Sequence, residues 1–435
     1  MPSSSKPHHP KIKPRIILHG GCGNITRANL PPPLWAAHKA SLLLYLRQAT
    51  KALCDPDATA LDVATRPVSR LENDSLFNAG RGAVFTRAGT IELEASVMVS
   101  KGKRKRGVGV MGIRGVMNPI LLARKMLLRG EEEDGGGAQG HCQLTGNVCE
   151  RLAEEWGLEL KDEGYFWTRK RWEEHRKGLG KTYDRGDYER GKLEAGGYGD
   201  HGEDDGGEEY YENECASDDP SWNGSDFLPQ GTVGCVVLDS TGTLCVATST
   251  GGITNKLPGR VGDTPTLGAG FWAEEWQVAT KIPREIASPN VFPDWTSLFT
   301  ACMPSLNAYL PLAQTEPKQS SKHSRRAAAI SGTGNGDSFL RLSAVRTASA
   351  IARFSSGEVS LQKAVTAVAG PNGMLQLSAE DRWHKTGEGE GGMIGIELGT
   401  DGVGRVVADF NCGGMFRAWV DGEGQERIMV FRGEF

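Results

Sequence analysis

Residues 231–263 read G-T-V-G-C-V-V-L-D-S-T-G-T-L-C-V-A-T-S-T-G-G-I-T-N-K-L-P-G-R-V-G-D. Residues 232–239 and 243–249 are rich in Val, Cys and Thr, and Ser240, Thr241 and Gly242 between them supply the turn of a hairpin. Thr232 therefore heads a buried strand. The fifty or so residues before it are Gly, Asp, Glu and Tyr with hardly an aliphatic side chain, and such a segment buries too little apolar surface to offset the entropy of ordering. A polar tether that runs straight into a core strand exposes the junction to cleavage, and Gly231 opens backbone conformations that other residues find strained. Cleavage between Gly231 and Thr232 would leave a terminus carrying a hydroxyl nucleophile and an α-amine of pKa about 7.7 to 8.0 to act as its base.

Four further segments stand out: H-G-G-C-G-N-I (19–25), L-E-N-D-S-L-F-N-A-G-R-G-A-V-F (71–85), S-G-T-G-N-G-D (331–337) and F-N-C-G-G-M-F-R (410–417). Read alone, the first is a tight Gly-rich turn after a short strand, and no Gly-Lys-Ser/Thr ending makes it a phosphate loop. The third, read alone, is a Gly-rich loop entering a helix. Together with 231–263, and in this order, the segments resemble the plant-type asparaginases and isoaspartyl peptidases, which are N-terminal nucleophile hydrolases. The stretch 163–176 also resembles the part of those chains just ahead of their linker.

The resemblance implies an α+β fold, a four-layer αββα sandwich with two central sheets covered by helices, and strands arriving in clusters between helical patterns agree with it. It divides the chain into an extension over 1–14, an N-terminal part over 15–177, a linker over 178–231 ending at the cleavage site Gly231-Thr232, and a C-terminal part over 232–435. A Pro- and Ser-rich insertion lies at about 283–326, either a lid or a disordered loop. The implied reaction is attack by Thr232 on the side-chain amide of L-asparagine or on a β-aspartyl peptide bond. Thr250 corresponds to the threonine that hydrogen-bonds the nucleophile region, though Thr is also common in strands. Thr333 and Gly334 correspond to the oxyanion donors, a kind of contact worth about 2.7 to 4 kcal/mol each. Asn78 corresponds to an asparagine near the nucleophile; its other reading is a side chain that satisfies its own turn.

Arg260 and Asp263 share one short loop. An Arg suits the α-carboxylate of an amino acid and an Asp its α-ammonium, and a surface salt bridge is the other reading of the pair. Gly336 corresponds to a position near the same amino group. Two departures stand out: Cys22 replaces a usual Ala, and Asp337 replaces a frequent Glu. No cofactor is implied beyond a structural sodium ion held by main-chain carbonyls of 71–81. The expected assembly is a heterodimer of the two fragments, further dimerised, acting on a small-molecule amino acid or dipeptide. Threonine aspartase, glycosylasparaginase and a non-catalytic interaction protein are the alternatives; the Asp of G-R-V-G-D and the Thr-Gly-Gly at 250–252 weigh against the first.

Composition narrows the classes. Over 435 residues, 38% are hydrophobic and 24% charged, which suits a soluble core diluted by polar segments. A net charge of −4 gives no case for nucleic acid or an anionic membrane, and no apolar run approaches the roughly twenty residues of a membrane helix. The basic, Ser-containing start is followed by too short an apolar run for a secretory signal, and its prolines disfavour the amphipathic helix of a mitochondrial presequence, so a cytoplasmic location is expected. Nine cysteines without paired C-x-x-C spacing read as buried thiols rather than a zinc site.

The periodicity elsewhere predicts a strand over 15–19, helices over 35–54 and from about Asp57, a half-buried strand over 90–98, a strand over 107–113, and helices over 118–130 and 147–157. Pro67 is expected to kink or shorten the second helix.

Overall fold

The alternation after Thr232 sends Val233, Cys235 and Val237 into one apolar layer and Val236 and Leu238 into another, so this strand is covered on both faces. The structure, a computed structural model, describes residues 12–182, 184–196, 231–278, 324–355 and 359–433. In chain order its elements are β1 (Arg15–Gly23), α1 (Pro32–Leu53), α2 (Ala60–Glu72), β2 (Leu93–Val99), β3 (Gly107–Ile113), α3 (Pro119–Arg129), β4 (Gln143–Thr145), α4 (Asn147–Glu155), α5 (Arg169–Gly178) and α6 (Arg185–Glu194). After Thr232 come β5 (Val233–Leu238), β6 (Leu244–Thr250), β7 (Phe271–Val278), β8 (Ser324–Gly334), α7 (Gly336–Leu342), α8 (Ala344–Phe354), α9 (Leu361–Ala369), α10 (Met374–Leu377), β9 (Gly391–Leu398), β10 (Gly404–Phe410), β11 (Gly414–Val420) and β12 (Glu426–Met429).

Two sheets form, in the orders β12-β11-β1-β5-β6-β2-β3-β4 and β10-β9-β8-β7. Helices α1 to α3 lie on the larger sheet and α8 and α9 on the smaller, while β1, β2, β5 and β6 face β7, β8 and β9 across the middle. Each interface has its own apolar cluster. Three apolar layers between four structural layers make the expected αββα sandwich.

Local chemistry explains the helices. In α1, Pro32 opens the first turn, where its missing N–H has no helical partner to lose, and Leu34, His38, Leu42, Leu46, Ala49 and Leu53 form the buried stripe. Thr59 caps α2 by accepting from the Asp62 N–H at 3.2 Å. Pro67 does not shorten α2, which runs to Glu72. Leu61, Ala64, Val68 and Leu71 bury their whole stripe in the layer against the large sheet, which offsets the roughly 3 kcal/mol cost of an interior proline.

Two expectations are corrected. The strand expected to be half-buried, β2, is buried throughout, because its polar face with Glu94 and Ser96 points into the space between the sheets instead of into water. The linker expected from Gly178 begins later: α6 forms at Arg185–Glu194, capped by Asp184 on the Asp187 N–H, and Tyr188, only 1% exposed, lies 6.4 Å from the Trp167 ring. The rest of the linker, 197–230, lies outside the described residues. So does the insertion at 279–323, although Ser324 to Arg326 at its expected end already belong to β8. No helix among the described residues is long and apolar enough to cross a membrane.

Behind β6, the buried Glu72 of α2 accepts from Ser249 Oγ at 2.7 Å and from the Ile120 N–H at 2.9 Å, joining α2, β6 and α3. Burial pushes its carboxyl up to about 8 against the pull of these hydrogen bonds, so it is neutral at pH 7. A carboxyl with a folded pKa above its unfolded value binds more protons in the folded state between the two. Stability from Glu72 is therefore full below about 4.5 and is lost as pH rises toward about 8. Glu72→Gln mimics the neutral acid, so its melting temperature should match the wild type near pH 5 and exceed it above pH 8; parallel profiles in thermal denaturation would contradict this.

Candidate active site

Register organises the polar middle. Val233 pairs with Ser249, so one further step places Thr232 opposite Thr250, and Thr250 pairs with Glu94. Directly paired residues of antiparallel strands share a face, so Thr232, Thr250 and Glu94 form one row across β5, β6 and β2. Gly234, Thr248 and Ser96 form the next row. Ser96 Oγ donates to the Thr264 carbonyl at 2.6 Å, and Thr264 Oγ1 lies 3.1 Å from Thr232 Oγ1. Thr232 is 6% exposed. Thr264 was not singled out in the sequence; its only signal is that it directly follows Asp263.

Space requires glycine at 231. A methyl group on it would come within 2.3 Å of Gly21 Cα and 2.5 Å of the Cys22 nitrogen. Gly21, at φ +113°, would in turn meet Gly231 Cα at 2.9 Å. Residues 19–23, expected as a tight turn, instead continue β1 past a bulge between His19 and Gly21 and pair with β11, and this end of the strand is the seat on which the residue before Thr232 rests. His19 lies beneath Gly234, with Nε2 2.6 Å from Ser331 Oγ. Full burial pulls its pKa down to about 3 against the opposing influence of the Thr232 backbone, so the ring is neutral and bridges β1 and β8.

Thr333 and Gly334 end β8 against the same middle space. Thr333 Oγ1 is buried without a hydrogen-bond partner, and its carbonyl accepts from Cys22 Sγ at 3.0 Å. That bond links the end of β1 to the end of β8. Gly334, at φ +138°, leaves no room for a side chain, because a methyl would come within 2.4 Å of the Glu390 carbonyl. Asn335 then caps α7 by accepting from the Ser338 N–H at 3.0 Å.

Thr250 Oγ1 accepts from the Gly252 N–H at 3.0 Å. Asn78 grips the same turn: Nδ2 donates to the Gly252 carbonyl at 2.7 Å, the Asn78 carbonyl accepts from the Gly251 N–H at 2.9 Å, and Oδ1 accepts from the Val84 N–H at 3.1 Å. Both readings of Asn78 therefore have a contact: it satisfies its own loop and it holds the Thr-Gly-Gly turn behind Thr250.

The charged end of the space contains Arg260, Asp263 and Gly336. A methyl on Gly336 would meet Asp263 Oδ1 at 2.6 Å and Arg260 Nη2 at 2.9 Å, so glycine keeps this corner open. Arg260 pairs with Asp337 at 3.2 Å, but its side chain is 17% exposed against 55% for Asp337, and its Nε is buried without a partner. Asp263 Oδ2 is likewise buried and unpartnered. Burial, with the Glu94 charge adding to it and Arg260 opposing, pushes Asp263 up to about 7. Burial also raises Glu94 and lowers Lys256, whose Nζ donates to the carbonyls of Glu92 at 2.6 Å and Gly251 at 2.9 Å. Glu94 does not stand out in the sequence, because an alternating polar face looks alike whether it meets water or another sheet, and Lys256 reads as an ordinary loop lysine. The described residues hold no group of three or more His, Cys, Asp or Glu side chains arranged for a metal ion.

A buried hydroxyl at a strand head, an unpartnered hydroxyl beside a glycine amide, and a corner where a buried guanidinium and a buried carboxyl each keep one unpartnered atom suit nucleophilic attack on a substrate that carries both charges. The sequence profile of the family described as Asparaginase matches residues 12–281. The chain is 30% identical to the isoaspartyl peptidase of Salmonella typhimurium over 93% of its own length and 94% of that protein. It is also 30% identical to the isoaspartyl peptidase of Escherichia coli, over 93% and 92% of the two chains, and 33% identical to the plant-type L-asparaginase of Pyrococcus furiosus, over 60% and 70%. The chain belongs to this asparaginase family.

Proposed function

We propose that this protein is a hydrolase that cleaves the side-chain amide of L-asparagine and the β-aspartyl peptide bond, with Thr232 as nucleophile once its own Gly231-Thr232 bond has been cut. The observation that carries the reading is that Arg260 Nε and Asp263 Oδ2 are buried without a partner on the loop whose Thr264 hydroxyl lies 3.1 Å from Thr232 Oγ1. The names of the Salmonella, Escherichia and Pyrococcus relatives support it.

In maturation, Thr232 Oγ1 adds to the carbonyl carbon of Gly231, the C–N bond breaks, and the chain passes through an ester that water hydrolyses. The freed α-amine then serves as base. It takes the hydroxyl proton as Oγ1 bonds to the substrate carbonyl carbon, and the Thr333 hydroxyl and the Gly334 N–H donate to the oxygen that becomes negative. The amine's proton passes to the leaving nitrogen, which departs as ammonia or as the amine of the released amino acid. Water, losing a proton to the same amine, opens the acyl ester and frees aspartate. Arg260 holds the α-carboxylate, Asp263 the α-ammonium, and Gly336 leaves the room for both. Thr250 and Asn78 hold the turn beside the nucleophile. His19, neutral and fully buried, is hydrogen-bonded to Ser331 and serves to join β1 and β8.

A structural sodium ion would be held by main-chain carbonyls of the 71–81 loop. The two fragments would stay together through β1 and β5, which are paired, and dimerise further. Buried free thiols such as Cys235 and Cys245 accord with a reducing cytoplasm.

Mass spectrometry of the purified protein should find two fragments, one ending at Gly231 and one beginning at Thr232, with Thr232→Ala intact and inactive and Thr232→Ser cleaved more slowly. A fully active single chain would overturn the mechanism. Arg260→Ala should mature normally, because the scissile bond presents no α-carboxylate. Its kcat/KM for L-asparagine should fall by on the order of 100-fold, the loss of a charge-assisted contact of about 1.5 to 3 kcal/mol. Equal loss of maturation and turnover would remove Arg260 from the substrate site.

A further inference from the structure

Between the sheets two carboxylate oxygens are left over, and one of them, on Glu94, has no role so far. Glu94 lies in the row of Thr232 and Thr250, is 1% exposed, and uses Oε1 to accept the Gly262 N–H at 2.9 Å. Its Oε2 is buried and unpartnered, as are Asp263 Oδ2 and Arg260 Nε. A methyl on Gly262 would meet Arg260 Nη1 at 2.9 Å and Glu94 Oε2 at 3.0 Å, so the leftover oxygen borders the same corner as the guanidinium. Two cations act on Glu94: Lys256, which already donates to two main-chain carbonyls, and Arg260, which already pairs with Asp337.

Buried charges are held in place only when something pairs them. Arg260 matches one charge of a zwitterion. The other charge is an α-ammonium with three N–H donors, more than a single oxygen of Asp263 can accept. We propose that Glu94 is a substrate-binding residue whose Oε2 accepts from the α-ammonium together with Asp263, so that the pocket selects substrates with a free α-amino group. This rests on the hydrolase reading above. A ligand with a carboxylate but no amine would leave both acids facing each other uncompensated, which is how a polar site rejects an analogue that lacks one group.

The test compares matured wild type with Glu94→Gln, which keeps the acceptor for Gly262 and removes the charge. The ratio of kcat/KM for L-asparagine over succinamate, its desamino analogue, should fall by roughly 10- to 100-fold, mainly through KM for asparagine. Calorimetry should show the same collapse in the preference for L-aspartate over succinate. If Glu94→Gln fails to fold or mature, Glu94→Asp, with the charge drawn back by one methylene, should show a smaller loss confined to the α-amino ligands. Equal losses on both members of each pair, or no loss on either, would make Glu94 a structural residue and overturn the proposal. A wild type that binds L-aspartate in preference to succinate but hydrolyses neither amide would overturn the hydrolase reading alone, with Glu94 then judged by the calorimetry. A wild type that does neither would overturn both.

Discussion

The structure depends on satisfying polar groups in a space closed on both sides by sheets. Polar side chains of β2 and β6 face inward where water cannot follow, and an inward polar group without a partner costs about 1 to 3 kcal/mol. The loop carrying Arg260 to Thr264 supplies those partners: the Thr264 carbonyl for Ser96, the Gly262 N–H for Glu94, the Thr264 hydroxyl beside Thr232. One contiguous loop therefore anchors the sandwich at its polar centre and brings its charged residues toward Thr232 at the head of β5. Where it leaves atoms unsatisfied, at Arg260 Nε, Asp263 Oδ2 and Glu94 Oε2, the fold carries a cost.

Much of this was legible in the chain. The strand after Thr232 declares itself by β-branched residues and a turn, and the stripes of α1 and α2 by helical spacing. Arg260 and Asp263 stood out because two opposite charges in one Gly- and Pro-containing loop suggest a charged ligand. Glu94 did not, since alternation records only that one face is polar and not what it faces. The helix α6 escaped for a related reason: one buried aromatic, Tyr188, anchors it, and a single anchor among charged and glycine residues makes no period. Pro67 misled because a propensity of a few kcal/mol is outweighed when a whole helical stripe is buried.

Glycines carry information of a second kind. At Gly21, Gly231, Gly234 and Gly336 the missing side chain is room claimed by a neighbour: backbone on backbone in the first two, the His19 ring and Ser331 hydroxyl in the third, a charged corner in the fourth. The sequence marks such positions only as possible turns. Close approach becomes visible once segments hundreds of residues apart lie side by side, as β1 and β8 do through His19 and Ser331.

The place where 279–323 joins the sandwich bears on how this chain tolerates change. Strands β7 and β8 are paired from Phe271 with Ser331 to Val278 with Ser324, and the segment departs from the Val278 end, whereas Thr333 lies beyond the Ser331 end. Seven residues of extended chain at about 3.4 Å each separate its roots from that end by roughly 24 Å. A change in the number of residues between these roots therefore enters the sheet at the end of β7 and β8 opposite Thr333, and the pairing from Phe271 with Ser331 to Val278 with Ser324 need not shift register to accept it.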